Sequence, residues 1–307
     1  MILTHTVTSQ EAGLTLQQLL RGPMALSGRQ TRIAKAQGAV TVDAAPFFSN
    51  QRLSTGMVVR VTLDGYDAAP KEAHSSNDAP LEIVFEDDAL LAVFKPALLQ
   101  CHPSPSAPGG SDTLEGRVRT YLGAPAHPVH RLDSETTGLV LFSRLPYVQA
   151  NLQQQMASGA FHKTYEAWVL GCPDPPEGEI DAPIAREHPD SFTRIVSPDG
   201  QRAVSRYRTL QRAALGGGQT VSRLQLSPVT GRTHQLRVHM THIGCPLLGD
   251  TRYLTPASKA ISRQLGLTYH QLSAVKLSFL HPLTGEDITI THAAVFAFDP
   301  EKAALFP

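Results

Sequence analysis

The stretch HRLDSETTGLVLFSR, residues 130–144, sets Arg131 and Asp133 two positions apart ahead of a Thr-Gly turn, with the apolar run LVLF directly behind. Ser, Glu and Thr before a glycine favour a turn, and the apolar run favours a buried strand. The plain reading makes Asp133 a turn-former and Arg131 its surface partner, a pairing worth little in water. The alternative is a carboxylate presented at the edge of a core strand, and the surrounding sequence has to decide between the two.

Working outward, runs that read as strands outnumber those that read as helices. LEIVFEDDALLAVFKP forms a hairpin pattern closed by Pro96, and GLVLFS, KTYEAWVLG, RAVSRYRTLQR, TVSRLQLSPV, AVKLSF and DITITHAAVFAF are strand-like. TLEGRVRTYL, PYVQANLQQQMASG and THQLRVHMTHIG read as helices. The two kinds do not alternate, which favours an α+β fold with a mixed, largely antiparallel sheet over a doubly wound one. Toward the N-terminus, LTLQQLL and LSGRQTRIAKAQG predict two short helices, ended by Gly38, and AVTVD and VVRVTL predict strands. The Ala-, Pro- and Ser-rich segment 66–80 lacks periodicity and reads as a linker, so the expected units are a small α+β domain over 1–65 and a larger one over 81–307.

With 41% hydrophobic and 18% charged residues in 307, the composition is that of a soluble globular protein. No signal-peptide pattern or membrane-length apolar run is evident, and cytoplasm is the expected location. Cys101, Cys172 and Cys245 are odd in number and far apart, unlike a disulfide framework. Formal net charge is zero, yet residues 201–250 hold seven arginines against Asp250 alone, and residues 1–65 hold six basic residues against three acidic ones. Local fields of this kind suit a polyanion. The stretch FEDD and the carboxylates between Asp174 and Asp190 balance them, and the plain reading of the basic territories is a set of solvated faces.

Three chemical alternatives are weaker. LGGGQT lies between strand patterns and reads as a turn, not a phosphate loop. Glu135 or Glu166 could partner Asp133 in a glycosidase, but spacing gives no warrant for the separation such chemistry needs. His239, His242 and Cys245 recur at three-residue steps, yet no second cluster supplies a fourth zinc ligand and Pro246 follows, so packed or RNA-facing histidines are expected and no metal site.

Four ordered segments then carry a resemblance. HRLDSETTGLVLF is similar to the signature loop of the RluA family of pseudouridine synthases. VFEDDALLAVFKPALLQCHP resembles the family's opening hairpin, HKTYEAWVLG its Lys-x-Tyr strand, and PVTGRTHQLRVHMTHIGCPLLGD its Gly-Arg-x-His-Gln-x-Arg segment. The departures are Thr137 for serine, Ser273 for a histidine, and KPALL for Lys-Pro-Ala-Gly-Leu. The N-terminal unit resembles the S-four-type RNA-binding domain, with GLTLQQ in place of its usual opening.

The resemblance implies isomerisation of uridine in RNA to pseudouridine, without redox cofactor or metal, by a monomer that takes one base out of its stack. It implies that Asp133 is the catalytic aspartate, Tyr165 the active-site tyrosine and Arg237 the partner of Asp133, with Arg232 as the alternative partner. His130, Arg131, Arg232, His234, Gln235 and Leu272 are expected at the substrate, and Arg29, Arg32 and Lys35 at RNA through the small domain. Large-subunit ribosomal RNA is the favoured substrate and transfer RNA the alternative. A catalytically idle RNA-binding or ribosome-assembly factor is the rival reading.

Overall fold

The computed structural model describes residues 2–24, 26, 31, 34–35, 38–47, 51–62, 80–103, 112–215 and 218–300. The expected linker, except Pro80, lies outside these residues, as do Arg29, Arg32 and much of the second expected N-terminal helix.

The small unit is a four-stranded sheet with one described helix. Its strands are β1 (Ile2–Thr6), β2 (Val40–Val42), β3 (Ala45–Pro46) and β4 (Val58–Thr62), ordered β1-β4-β2-β3 and antiparallel throughout. Helix α1 (Leu16–Arg21) starts in a capping box: the Thr15 hydroxyl takes the Gln18 amide while the Gln18 side chain takes the Thr15 amide. Leu16, Leu19 and Leu20 recur at helical spacing and are buried with Val59 and Val61 of the central strand. Strand β1 falls in MILTHTVTSQEAG, where no strand was predicted.

The large unit is built on one sheet. Its strands are β5 (Glu82–Glu86), β6 (Leu90–Lys95), β7 (His127–Pro128), β8 (Thr137–Ser143), β9 (His162–Leu170), β10 (Glu177–Asp181), β13 (Val204–Ala214), β14 (Thr220–Pro228), β15 (Leu272–Leu280) and β16 (Asp287–Thr291), with a separate hairpin of β11 (Ile184–Arg186) and β12 (Arg194–Val196). The order is β10-β13-β14-β9-β15-β8-β6-β5, with β16 on β15 and β7 on β8. Among the described strands only β8 and β15 pair in parallel. Helices α2 (Leu114–Leu122), α3 (Pro146–Ser158), α4 (Gln235–His242) and α5 (Pro256–Gln264) complete it. The α+β class with a mixed, largely antiparallel sheet is as expected.

Strands β6 and β8 are buried along their whole length, so they read as continuous apolar runs instead of alternating ones. DITITHAAVFAF forms a strand only as far as Thr291. Beyond it the Gln271 side-chain oxygen accepts the amides of Ala297 and Phe298 at 2.7 and 3.0 Å, which replaces ladder bonds, and Phe298 packs edge-on to Trp168.

The parallel β8–β15 contact brings the turn of HRLDSETTG beside β15. Gly138 has φ +112°, and a Cβ there would lie 2.2 Å from the Ala274 carbonyl oxygen. Gly138→Ala is therefore expected to lower stability by about 3 kcal/mol or more, since both the backbone angle and the contact must yield. Urea unfolding measures this, and an unchanged midpoint would show that the two strands do not need so close an approach.

Candidate active site

Asp133 ends a loop that β8 anchors from behind. The Thr136 amide closes a turn on the Asp133 carbonyl at 3.1 Å, and the next residues enter the sheet. Lys95, at the end of β6, is fully buried and its ammonium donates to the carbonyls of Pro96, Leu99 and Ser134 at 2.9, 2.8 and 2.7 Å. Burial pushes that ammonium down to about 8, against the charges of Cys101 and Asp133 that favour it. A lysine here fixes the carbonyl next to Asp133. The neighbouring Leu98, standing where the resembled family has glycine, keeps a left-handed φ of +67° with its side chain in solvent.

Helix α4 supplies the partner. Arg237 Nη1 lies 3.2 Å from Asp133 Oδ2, while its Nε and Nη2 donate to the two oxygens of Asp250 at 2.7 and 2.8 Å. Asp250 is wholly buried, and its Oδ1 also accepts the amides of Arg252 and Tyr253. Burial works against the charged form of both groups. Their mutual bonds overcome it, holding the Asp250 carboxyl below and the Arg237 guanidinium above its ordinary range. Tyr253 lies with its ring 5.0 Å from the Arg237 guanidinium carbon. No contact of this kind joins Arg232 to Asp133; the Arg232 Nε donates to the Arg202 carbonyl at 3.0 Å.

His234 caps α4 in a left-handed conformation, φ +58°, with Nε2 3.7 Å from Asp133 Oδ2 and Nδ1 2.7 Å from the Tyr253 hydroxyl. Burial, reinforced by nearby arginines and opposed by Asp133, pushes its imidazole down to about 4. Tyr165, on β9, is buried, and burial together with the Asp133 charge raises its phenol. Leu272, on β15, lines one cleft with Asp133, Tyr165, Arg131, Arg232 and Arg237. Register explains the meeting of strands: Leu272 stands opposite Ala167 and Ala274 opposite Tyr165.

Other expected contacts are placed differently. His130 does not line the cleft: its Nε2 accepts the Leu141 amide at 3.3 Å and its ring edges Phe161, because the chain turns this side chain into the core. Gln235 borders the cleft but spends its amide inside, donating to Val204 O and Ser205 Oγ and accepting from Thr230 and Arg232. Among the described residues Lys35 reaches Gln17, at 3.4 Å. Arg131 is exposed at the cleft, 3.4 Å from His102 and with no ion pair to Asp133. The Glu135 carboxylate stands 2.9 Å from His270 and Glu166 binds Arg223, so neither forms a pair with Asp133. His239 uses both ring nitrogens, on Ser205 and the Ala182 carbonyl. Among the described residues no group of three or more His, Cys, Asp or Glu could hold a metal. All three cysteines are free.

The RNA pseudouridylate synthase family model matches residues 89–242, which span the Asp133 loop, Tyr165 and Arg237. The chain is 31% identical to ribosomal large subunit pseudouridine synthase D of Vibrio parahaemolyticus, over 96% of this chain and 91% of that one. The chain belongs to the RNA pseudouridylate synthase family. It is an RNA pseudouridine synthase, an isomerase, of RluA type. The corresponding enzyme of Zymomonas mobilis is 34% identical over 83% of this chain and 80% of its own, and the dual-specificity synthase RluA of Vibrio parahaemolyticus 34% over 69% and 82%. Among solved structures, human RNA pseudouridylate synthase domain containing 4 is 25% identical over 70% of this chain and 88% of its own, with TM-score 0.55.

In this pseudouridine synthase, Asp250, Lys95, Tyr253 and the Glu135–His270 contact were not foreseen. Asp250 carried a signal: it is the sole acid among seven arginines in residues 201–250. Asp250→Asn is expected to cost about 3–5 kcal/mol of stability, because Arg237 would keep its buried charge and lose its principal partner. Urea unfolding decides it; a loss below about 1 kcal/mol would mean that Asp133 or water satisfies Arg237 equally well.

Acid should weaken the fold through histidines. Burial, helped by the Lys163 charge, pushes His130 down to about 3, and His234 lies near 4. Below about 6.5 the unfolded chain takes up protons that the folded chain refuses, so stability present above that pH is lost on the way down to about 4 and 3. Each histidine contributes a slope of about 1.4 kcal/mol per pH unit within its window. Unfolding midpoints between pH 7 and 5 should fall, and fall less steeply in His130→Gln; equal slopes would remove His130 from the explanation.

Proposed function

We propose that Asp133 is the catalytic carboxylate of this synthase, that Arg237 pairs with it and aims it, and that Tyr165 and Leu272 receive the uracil. The observation that carries this reading is the single guanidinium bond from the buried Arg237 to Asp133, made at the wall of a cleft that Tyr165 and Leu272 also line. Pseudouridine formation breaks the bond from the sugar to N1 of uracil and makes one to C5; C5 loses a proton and N1 ends with one. A carboxylate beside the sugar either attacks the anomeric carbon or removes a sugar proton, and both uses require it charged and free of other donors. Asp133 fits, since it is partly open to the cleft and only one arginine nitrogen donates to it.

Tyr165 offers a ring face for the base and a hydroxyl donor beside the carbon that finally loses its proton. Its raised phenol keeps that hydroxyl protonated at neutral pH. Leu272 is almost fully buried and shields the base from water while it turns. Arg131, at the cleft and without a carboxylate partner among the described residues, serves the strand from which the uridine is drawn.

The proposed substrate is large-subunit ribosomal RNA, supported by the names of the Vibrio and Zymomonas relatives, and the enzyme acts in the cytoplasm as a monomer. Residues 1–65 form an S-four-type RNA-binding domain joined by 66–80 to a catalytic domain over 81–307; a four-stranded sheet with a capped helix supports this reading. Mapping pseudouridines in cells with and without the gene tests the substrate, and loss of a site in transfer RNA alone would replace it. Asp133→Asn should lower pseudouridine formation by at least about a thousandfold while RNA affinity holds. Near-normal turnover by that variant would remove Asp133 from the chemistry and leave the idle-factor reading open.

A further inference from the structure

A second cavity adjoins the cleft and is used by nothing described above. It lies between the β11–β12 hairpin and the turn that precedes α4, and Arg186, Arg194 and Arg232 all line it. Arg232 and Thr233 line both cavities, so the two lie side by side. One acid, Asp199, is also on the wall, leaving the arginines in excess.

Two features make this more than three surface charges. First, each guanidinium is fixed by main-chain carbonyls, not by an acid: Arg186 donates to Pro189 at 3.2 Å, Arg194 to Ser191, Phe192 and Thr193 at 3.2 to 3.3 Å, and Arg232 to Arg202 at 3.0 Å. Among the described residues none of the three makes an ion pair, so their charge is unspent while their positions are set. Second, the frame is tight. Ile184 and Gln201 exchange both backbone hydrogen bonds at 2.9 Å, and Gly200 lies so close to Ile184 that a Cβ would meet its carbonyl carbon at 2.5 Å. The hairpin is also tied to the active site, because the Arg194 amide donates to the Tyr253 hydroxyl at 2.8 Å and that hydroxyl meets His234 beside Asp133.

We infer that this arginine-lined cavity is a subsite for a backbone phosphodiester of the substrate RNA, next to the nucleotide whose base enters the Asp133 cleft. Guanidinium groups recognise phosphate oxygens in pairs, and three of them with no carboxylate partner match an anion that carries no base information. The tie through Tyr253 and His234 holds the phosphate at a fixed offset from Asp133, so that gripping the backbone there sets which nucleotide reaches the carboxylate. The inference rests on the pseudouridine synthase reading and adds a place on the protein for the strand beside the flipped base.

The test is equilibrium binding of the full-length protein to two unmodified transcripts, a large-subunit ribosomal RNA fragment and a transfer RNA, across a series of KCl concentrations. Arg186→Ala should weaken binding to both by about tenfold and reduce the slope of log K against log salt by about one. Arg186→Glu should weaken binding further. Arg194→Lys, which keeps the charge without the planar fork, should fall in between. In turnover the loss should appear in KM and not in kcat. Arg263→Ala, an exposed arginine on α5 outside the cavity, is the control. Thermal melting confirms that each variant is folded; among the described residues the Arg186 side chain bonds only to the carbonyl of Pro189, so its replacement leaves the hairpin ladder in place. An affinity and salt slope for the Arg186 variants equal to those of the control would overturn the subsite. Equal weakening on both RNAs supports it whichever transcript gains pseudouridine, so a failure of the ribosomal assignment is read separately from a failure of the subsite.

Discussion

One guanidinium stands between two carboxylates, and the arrangement around it is unequal. Asp250 takes two of the Arg237 donors in a fork, is wholly buried, and is further held by two backbone amides. Asp133 receives one bond, at 3.2 Å, and is partly open to the cleft. A buried arginine without Asp250 would have to turn its fork on Asp133 or be left uncompensated, and either outcome would spoil the site. With Asp250 present, the guanidinium charge is anchored once and shared, so Asp133 keeps an arginine partner without having its oxygens consumed.

The fold makes that sharing possible from distant parts of the chain. Asp133 belongs to the loop before β8, Arg237 to α4 more than a hundred residues later, and Asp250 to the turn after that helix. Each is held by its own local device. Lys95 grips the Ser134 carbonyl, and the left-handed cap at His234 starts α4 beside the cleft. Gly138 lets β8 and β15 approach closely, and the β15–β9 pairing sets Leu272 and Tyr165 as neighbours lining one cavity. Strain at His234 and the near-contact at Gly138 sit at the site, where a fold tolerates local cost for placement.

What could be read from the sequence was what local periodicity and residue chemistry carry. Strands β6 and β8 announced themselves as apolar runs, and the turn at SETTG followed from its Ser, Thr and Gly residues. The likeness of the HQLR segment to its family pointed to Arg237 as a partner. Asp250 escaped because its meaning is tertiary: an aspartate after LLG looks like any turn residue until α4 brings Arg237 to it. His130 was misplaced for a related reason, since motif membership says nothing about which way a ring turns, and the core took it. The acidic stretch from Asp174 to Asp190 contains β10 and β11, short strands of which β10 has its alternation masked by exposed carboxylates and β11 is only three residues long. Helix α5 had its signals in Thr255, Pro256 and Ser258, a capping box with proline at the first turn, and these were passed over.

Arg237 acts through geometry, with a fork on Asp250 and one remaining donor for Asp133. Replacing it by lysine keeps the charge and removes the fork, so the decisive measurement is the single-turnover rate of Arg237→Lys at saturating RNA. That rate should fall by at least about a hundredfold with RNA affinity unchanged, the scale that loss of positioning alone produces. A rate within about threefold of the native enzyme would contradict it, because a point charge would then suffice.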